Sequence, residues 1–244
     1  MSVVGAFCTV WREARYLPLV LEQLIRVPGP VVVIHNELPF FWECGGEPPR
    51  GSDSKVPEIL AQFPELTVVR PTTHLSTETI LRNYATVYLK EHGADVALWQ
   101  DSDFIIDLPE FDLLTAEMAR RTPRCWSVSA RHYWRNWNTT YAVGGVRMGY
   151  PTAATWADGS FDPDFENNAS SIGVTIHHPS YVLSDDEVFQ KVNSFYHGPY
   201  FRENKFWEKW QSGAADREQD LKPSDLELPL GIKQRLAKWN CHIG

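Results

Sequence analysis

The first hundred residues alternate short apolar runs with stretches in which apolar side chains return every three or four positions. Val3 to Val10 is almost continuously apolar, the pattern of a strand buried on both faces. Leu17, Val20, Leu21 and Leu24 then form one helical stripe, which Pro28-Gly29-Pro30 stops. Val31 to Ile34 reads as a second buried strand, and the Gly/Pro-rich stretch from Glu43 to Lys55 as a loop. A short helix from Val56 to Gln62 precedes a third strand at Leu66 to Val69. Ser76 or Thr77 caps the next helix, Ile80, Leu81, Tyr84 and Val87 are its expected buried face, and Gly93 ends it. Ala94 to Trp99 is a fourth strand, running directly into Gln100-Asp101-Ser102-Asp103.

This alternation predicts an α/β fold: a single domain with a mixed, largely parallel sheet flanked by helices. Such sheets bind ligands at the carboxyl ends of their strands. Thr9 and Glu13 follow the first strand there, Asn36 and Glu37 the second, Asp101 and Asp103 the fourth.

The second half changes character. A helix is expected from Phe111 to Arg121 and a strand from Cys125 to Ala130, before an aromatic and polar segment from Arg131 to Tyr150. Asp158 to Asn168 is acidic and turn-rich; Ile172 to Ile176 is strand-like; Asp185 to Tyr196 and Phe201 to Trp210 look helical. No linker separates independent domains. The expected organisation is therefore one domain in two halves, 1–110 and 111–244, the second ending in helices.

Composition narrows the classes. With 244 residues, 43% hydrophobic and 22% charged, the chain can bury a substantial core. A net charge of -8 argues against bulk attraction to nucleic acid, although it leaves room for a local basic patch. The four cysteines lack C-x-x-C pairing and suit a reducing compartment. No apolar run is long enough to span a membrane, and Val3-Val4-Gly5-Ala6-Phe7 lacks the basic flank of a signal peptide. A cytoplasmic protein is expected, with the sequons at Asn138 and Asn168 unused. The ten tryptophans could serve the core or form platforms for sugars and bases.

Two carboxylates at i and i+2 beyond a buried strand can reach one hard cation, Mn²⁺ or Mg²⁺, that retains open positions for phosphate oxygens. Asp162-Pro163-Asp164 repeats the pattern, but only Asp101 and Asp103 end a sheet strand. A solvated strand end is the competing explanation for them.

Leu81-Arg82-Asn83, the Gly93-Ala94-Asp95 turn and Trp99-Gln100-Asp101-Ser102-Asp103 together resemble the family 2 glycosyltransferases. The opening Thr9-Val10-Trp11-Arg12-Glu13 and Tyr16-Leu17 are similar to that family's first loop and helix, with Trp11-Arg12 where lysine-asparagine is usual. His177-His178-Pro179-Ser180-Tyr181-Val182, followed by a helix ending at Phe195-Tyr196-His197, resembles the downstream region of some relatives.

The resemblance covers residues 3–110 well and the remainder loosely. It implies a GT-A fold, a nucleotide-sugar donor (a UDP-sugar first) and a divalent metal at Asp101 and Asp103. Thr9, Trp11 and Glu13 would line the nucleotide pocket, Asn36 or Glu37 would approach base or ribose, and Arg82 would face the diphosphate. The alternative for Arg82 is a surface salt bridge.

An inverting transfer needs a general base. Asp158, Asp162, Asp164 and Glu166 are the candidates, Asp158 first because Trp156 and Gly159 flank it. His178 or His197 could add a metal ligand, as could His177; each could instead be a structural histidine. Arg131 to Asn138 mixes aromatic faces with cationic and amide donors and could bind the acceptor; the alternative is that two of its aromatics are core and the rest plug a loop. That acceptor would be a glycan, a small molecule or a hydroxylated nucleic-acid base. Lys222, Lys233, Arg235 and Lys238 belong to a solvated helix or a lid. A nucleotidyltransferase and a non-catalytic carbohydrate-binding protein are the alternative functions; the first should show a Gly-rich basic loop after strand one, which this chain lacks.

Overall fold

The computed structural model describes residues 1–11, 14–36, 55–71, 78–120, 125–152, 156–157, 160–161, 169–194, 206–212, 222–223 and 227–241. In chain order the elements are β1 (Val4–Val10), α1 (Leu17–Leu24), β2 (Val31–His35), α2 (Lys55–Leu60), β3 (Thr67–Val69), α3 (Glu78–Glu91), β4 (Val96–Asp101) and α4 (Leu108–Arg120). They continue as β5 (Trp126–Trp134), β6 (Asn136–Pro151), β7 (Trp156–Ala157), β8 (Ser160–Phe161), β9 (Ser170–Tyr181), α5 (Asp185–Ser194), α6 (Phe206–Ser212), β10 (Lys222–Pro223) and α7 (Leu230–Lys238).

One sheet carries the order β3-β2-β1-β4-β6-β5-β9, with β10 paired to β6 and β7-β8 forming a separate hairpin. The pairs β3/β2, β2/β1, β1/β4 and β5/β9 are parallel; β6 is antiparallel to β4, β5 and β10. Among the described residues, β6 is thus the strand that runs against the others of this sheet. The α/β, largely parallel, single-domain expectation is met. Strands from residues 1–110 fill one side of the sheet, and those from 111–244 the other.

Burial on both faces explains the continuous apolar runs. Val4, Ala6, Cys8 and Val10 face a core that includes Leu17, Val20, Leu21 and Leu24 of α1 and Phe111, Leu114 and Met118 of α4. Phe7, Val32, Ile34 and Ala97 face α3 on the opposite side. Gly5 permits the close approach there: a Cβ would lie 2.8 Å from the Pro30 carbonyl oxygen and 2.9 Å from Ala94 Cβ.

Several local expectations are corrected. The buried face of α3 is Leu81, Ala85 and Leu89, while Ile80, Tyr84 and Val87 are 43%, 42% and 52% exposed. This helix is apolar around much of its circumference, so periodicity offers two stripes; the packed stripe contains the small Ala85. Arg131 to Tyr150 is a β5–β6 hairpin, its strands joined at Arg135 with φ 62°. Tyr133, Trp134 and Trp137 are core residues, Arg131, His132 and Asn136 half-buried, and Arg135 and Asn138 exposed. β9 extends past Ile176, so His177 and His178 lie within the strand. The C-terminal helix is not a solvated helix, because Ile232, Arg235 and Leu236 are buried. Among the described residues, no helix is long and apolar enough to cross a membrane.

Candidate active site

The chain runs from β1 outward through β2 to β3, then returns to place β4 on the other side of β1. This reversal creates a topological switch point, where open α/β sheets form a crevice at their carboxyl ends. Thr9 and Asp101 are register partners at that edge. Asn36 follows the end of β2; its backbone N–H donates to the Val10 carbonyl at 2.9 Å, and its side-chain nitrogen is buried without a hydrogen-bond partner among the described residues. Trp11 lies half-buried just beyond β1.

Arg82 reaches the same edge from α3. Its Cζ lies 3.7 Å from the centroid of the Trp99 ring, and Trp99 Nε1 donates to Asp101 Oδ1 at 2.9 Å. Arg82 thus lies over an aromatic face whose indole N–H holds the Asp101 carboxylate.

The residues after β4 bridge to β9 across two intervening strands. Ile105 and His177 exchange backbone hydrogen bonds of 3.0 and 2.7 Å. Gln23, fully buried on α1, clamps the same segment: Nε2 donates to Gln100 Oε1 at 3.2 Å and Phe104 O at 3.1 Å, while Oε1 accepts from Ile106 N at 2.8 Å.

This clamp sets Asp103 in the interior. His178 Nε2 lies 3.2 Å from Asp103 Oδ1, and Lys191 Nζ donates to Oδ2 at 3.1 Å. On the far side of the imidazole, His178 Nδ1 lies 2.8 Å from His132 Nδ1. The parallel β5–β9 register brings the two histidines together. Phe104 links the two clusters, its ring centroid 5.8 Å from that of Trp99 and 4.9 Å from that of His178.

Burial by itself would raise the Asp103 pKa. The charges of Lys191 and His178, with their hydrogen bonds, outweigh it and hold the carboxyl well below the usual carboxylate range. Burial, joined by the charge on His178, pushes His132 down from 6.5 to about 4. His177 is likewise lowered to about 4, mainly by burial and then by Arg131, and hydrogen-bonds Tyr133 Oη at 2.6 Å. His177 is therefore a core histidine in its contacts.

These two imidazoles yield a pH prediction. Between pH 6.5 and 4 the unfolded chain binds protons that His132 and His177 decline in the folded state, so acidification favours unfolding. The melting temperature should fall across that window, before Asp103 contributes its own loss below its unfolded pKa. His177→Gln should flatten the slope; an unchanged slope in melts from pH 7.5 to 4 would count against this origin.

Thr9, Arg82 and Asp101 thus lie along one sheet edge, and Asp103 meets His178. Glu13, Glu37, Asp158, Asp162, Asp164, Glu166 and His197 lie outside the described residues. Gln23 and Lys191 join the site with no sequence expectation for either, and His132, from the Arg131–Asn138 stretch expected at the acceptor, lies against His178.

No family model matches this chain, and no curated protein matches it. Solved structures to which it is similar include TarS of S. aureus, at 13% identity and a TM-score of 0.48, covering 78% of this chain and 38% of that one. The 4-diphosphocytidyl-2C-methyl-D-erythritol synthase of Anaerococcus prevotii has 11% identity and a TM-score of 0.45, covering 78% and 94%. Glucosyl-3-phosphoglycerate synthase of Mycobacterium tuberculosis, solved with Mn²⁺, uridine diphosphate and phosphoglyceric acid, has 10% identity and a TM-score of 0.37, covering 54% and 43%. This chain therefore spans well under half the length of that TarS structure. Values this low carry no activity from those proteins to this one.

Proposed function

We propose that this chain transfers a sugar from a nucleotide-sugar donor, a UDP-sugar first, to an acceptor hydroxyl with inversion. The observation that supports this reading is the placement of Asp101 at the β1/β4 switch point, held by the Trp99 ring over which Arg82 lies, with Asp103 two residues further on against His178. The sequence resemblance to family 2 glycosyltransferases supports the same assignment.

Among the described residues, no group of three or more His, Cys, Asp or Glu side chains is placed to hold a metal alone. The donors present nevertheless suit a divalent ion that completes its shell with phosphate and water oxygens. Asp103 Oδ1 and His178 Nε2 are 3.2 Å apart, so a carboxylate and an imidazole are adjacent donors, and an ion held by them would replace their direct contact. In this reading Asp103 and His178 hold Mn²⁺ or Mg²⁺, assisted by Asp101 and His197. When bound, the ion would offset the charge that develops on the departing nucleoside diphosphate.

The chain's own residues supply the rest. Arg82, preset by Trp99, faces the diphosphate; Thr9, Trp11, Glu13, Asn36 and Glu37 form the nucleotide pocket. Asp158, Asp162 or Asp164 takes the proton from the acceptor hydroxyl. The second half of the domain holds the acceptor: a glycan, a small molecule or a hydroxylated base.

Calorimetry with UDP, with and without Mn²⁺, tests the reading, followed by product analysis across a panel of sugar nucleotides. Metal-dependent UDP binding and release of free or transferred sugar are expected. Manganese-indifferent binding with no turnover would remove the assignment, and nucleotidyl transfer in the product analysis would replace it.

A further inference from the structure

Asp103 is bonded to two side chains in this structure, and the ion proposed above would be a third claimant. Its Oδ2 accepts from Lys191 Nζ at 3.1 Å, and that lysine side chain is only 12% exposed. A carboxylate this buried needs a positive partner, and Lys191 supplies one from within the chain. The helix that carries it is anchored independently of that contact. Val188 of α5 packs with Trp134, Phe206 and Trp210, while Trp210 Nε1 donates to Asp185 Oδ1 at 2.8 Å. Ser184 N, before the helix, donates to Glu187 Oε2 at 2.8 Å. Lys191 can therefore change partners by rotating its four-carbon stem, with no movement of α5.

We propose that Lys191 is a built-in counter-ion: it competes with the divalent cation for Asp103, and turns to the donor's diphosphate when that cation binds. This rests on the nucleotide-sugar reading above. A divalent ion at Asp103 and His178 would repel the neighbouring ammonium, and a diphosphate bound to that ion would offer it a new anionic partner. Metal and nucleotide then help each other to bind, because each removes a cost the other would meet alone.

The test is Mn²⁺ titration, read from the electron paramagnetic resonance signal of free Mn²⁺, with and without UDP. Lys191→Met keeps the apolar stem and removes the charge. Without UDP it should bind Mn²⁺ more tightly than the unmodified chain by about tenfold or more, the scale on which one neighbouring charge shifts an ionic equilibrium. The gain in Mn²⁺ affinity on adding UDP should be smaller in the variant. Lys191→Gln, which retains an N–H donor for Asp103, carries the same expectation if the methionine variant does not fold. Lys233→Met removes an equal charge beside the exposed Glu227 and should leave Mn²⁺ affinity unchanged.

Equal or weaker Mn²⁺ binding by the Lys191 variants overturns the proposal while leaving the glycosyltransferase reading standing. A matching gain in Lys233→Met also overturns it, since the effect would then be general charge. No Mn²⁺ binding by any variant or by the unmodified chain, with UDP present, overturns the metal reading as well.

Discussion

Asp103→Asn is expected to abolish sugar transfer and to lower the melting temperature together. The carboxylate is buried between Lys191 and His178, so its neutral replacement strands an ammonium that is only 12% exposed. Removing one partner of a buried pair costs about 3–5 kcal/mol, which for a domain of this size lowers the melting temperature by on the order of 10 °C. The two effects separate in a double variant. Asp103→Asn with Lys191→Met removes both charges and should regain much of the lost stability, yet remain inactive. Urea melts of the four proteins in this cycle give the coupling directly. Retained turnover in Asp103→Asn would remove that carboxylate from the mechanism; additive stability losses would show that its pairing with Lys191 contributes little.

Arg235→Ala should be the most destabilising change remote from the proposed chemistry. Arg235 is 7% exposed and ties α7 to the core through Nε to Glu22 Oε2 at 2.9 Å, Nη1 to Ile106 O at 2.9 Å, and Nη2 to Leu19 O. Glu22 keeps Lys238 and Trp239 as partners. The two carbonyls, by contrast, lose a donor they cannot easily replace. We expect a loss of about 3 kcal/mol or more. Arg235→Lys should recover little of it, since an ammonium cannot span three acceptors arranged for a planar fork. Denaturant unfolding of both variants measures this, and a lysine variant as stable as the parent would show that charge alone suffices. Ile106 lies three residues beyond Asp103, so the alanine variant should also weaken Mn²⁺ binding modestly.

The carboxyl ends of β1, β2 and β4 are legible in the sequence because largely buried strands leave unbroken apolar runs. Thr9, Asn36 and Asp101 lie at or just beyond those ends. Periodicity failed at α3, where too many apolar positions left the packed stripe undetermined. It failed again at the β5–β6 hairpin, whose connecting residue Arg135 adopts a left-handed backbone without the glycine that ordinarily announces such a turn. Asp103 beside His178 is anticipated only through the metal-ligand reading, and the places of His132 and Lys191 around them are illegible for a different cause. They depend on a parallel pairing between β5 and β9 and on the docking of α5, contacts that span dozens of residues and leave no local pattern.

The parallel pairing of β5 with β9 has one more implication. His177 and His178 are chemically identical neighbours pointing to opposite faces of one strand, and only their alignment with Arg131 and His132 decides which imidazole meets the carboxylate. Sliding β9 by a single position would exchange them, handing the tyrosine-bound ring's place to its twin. Deleting Ile176, within the uninterrupted pairing from Thr175 to His178, would leave the chemical inventory almost untouched while erasing the arrangement, so strand alignment stores information that residue identity alone does not.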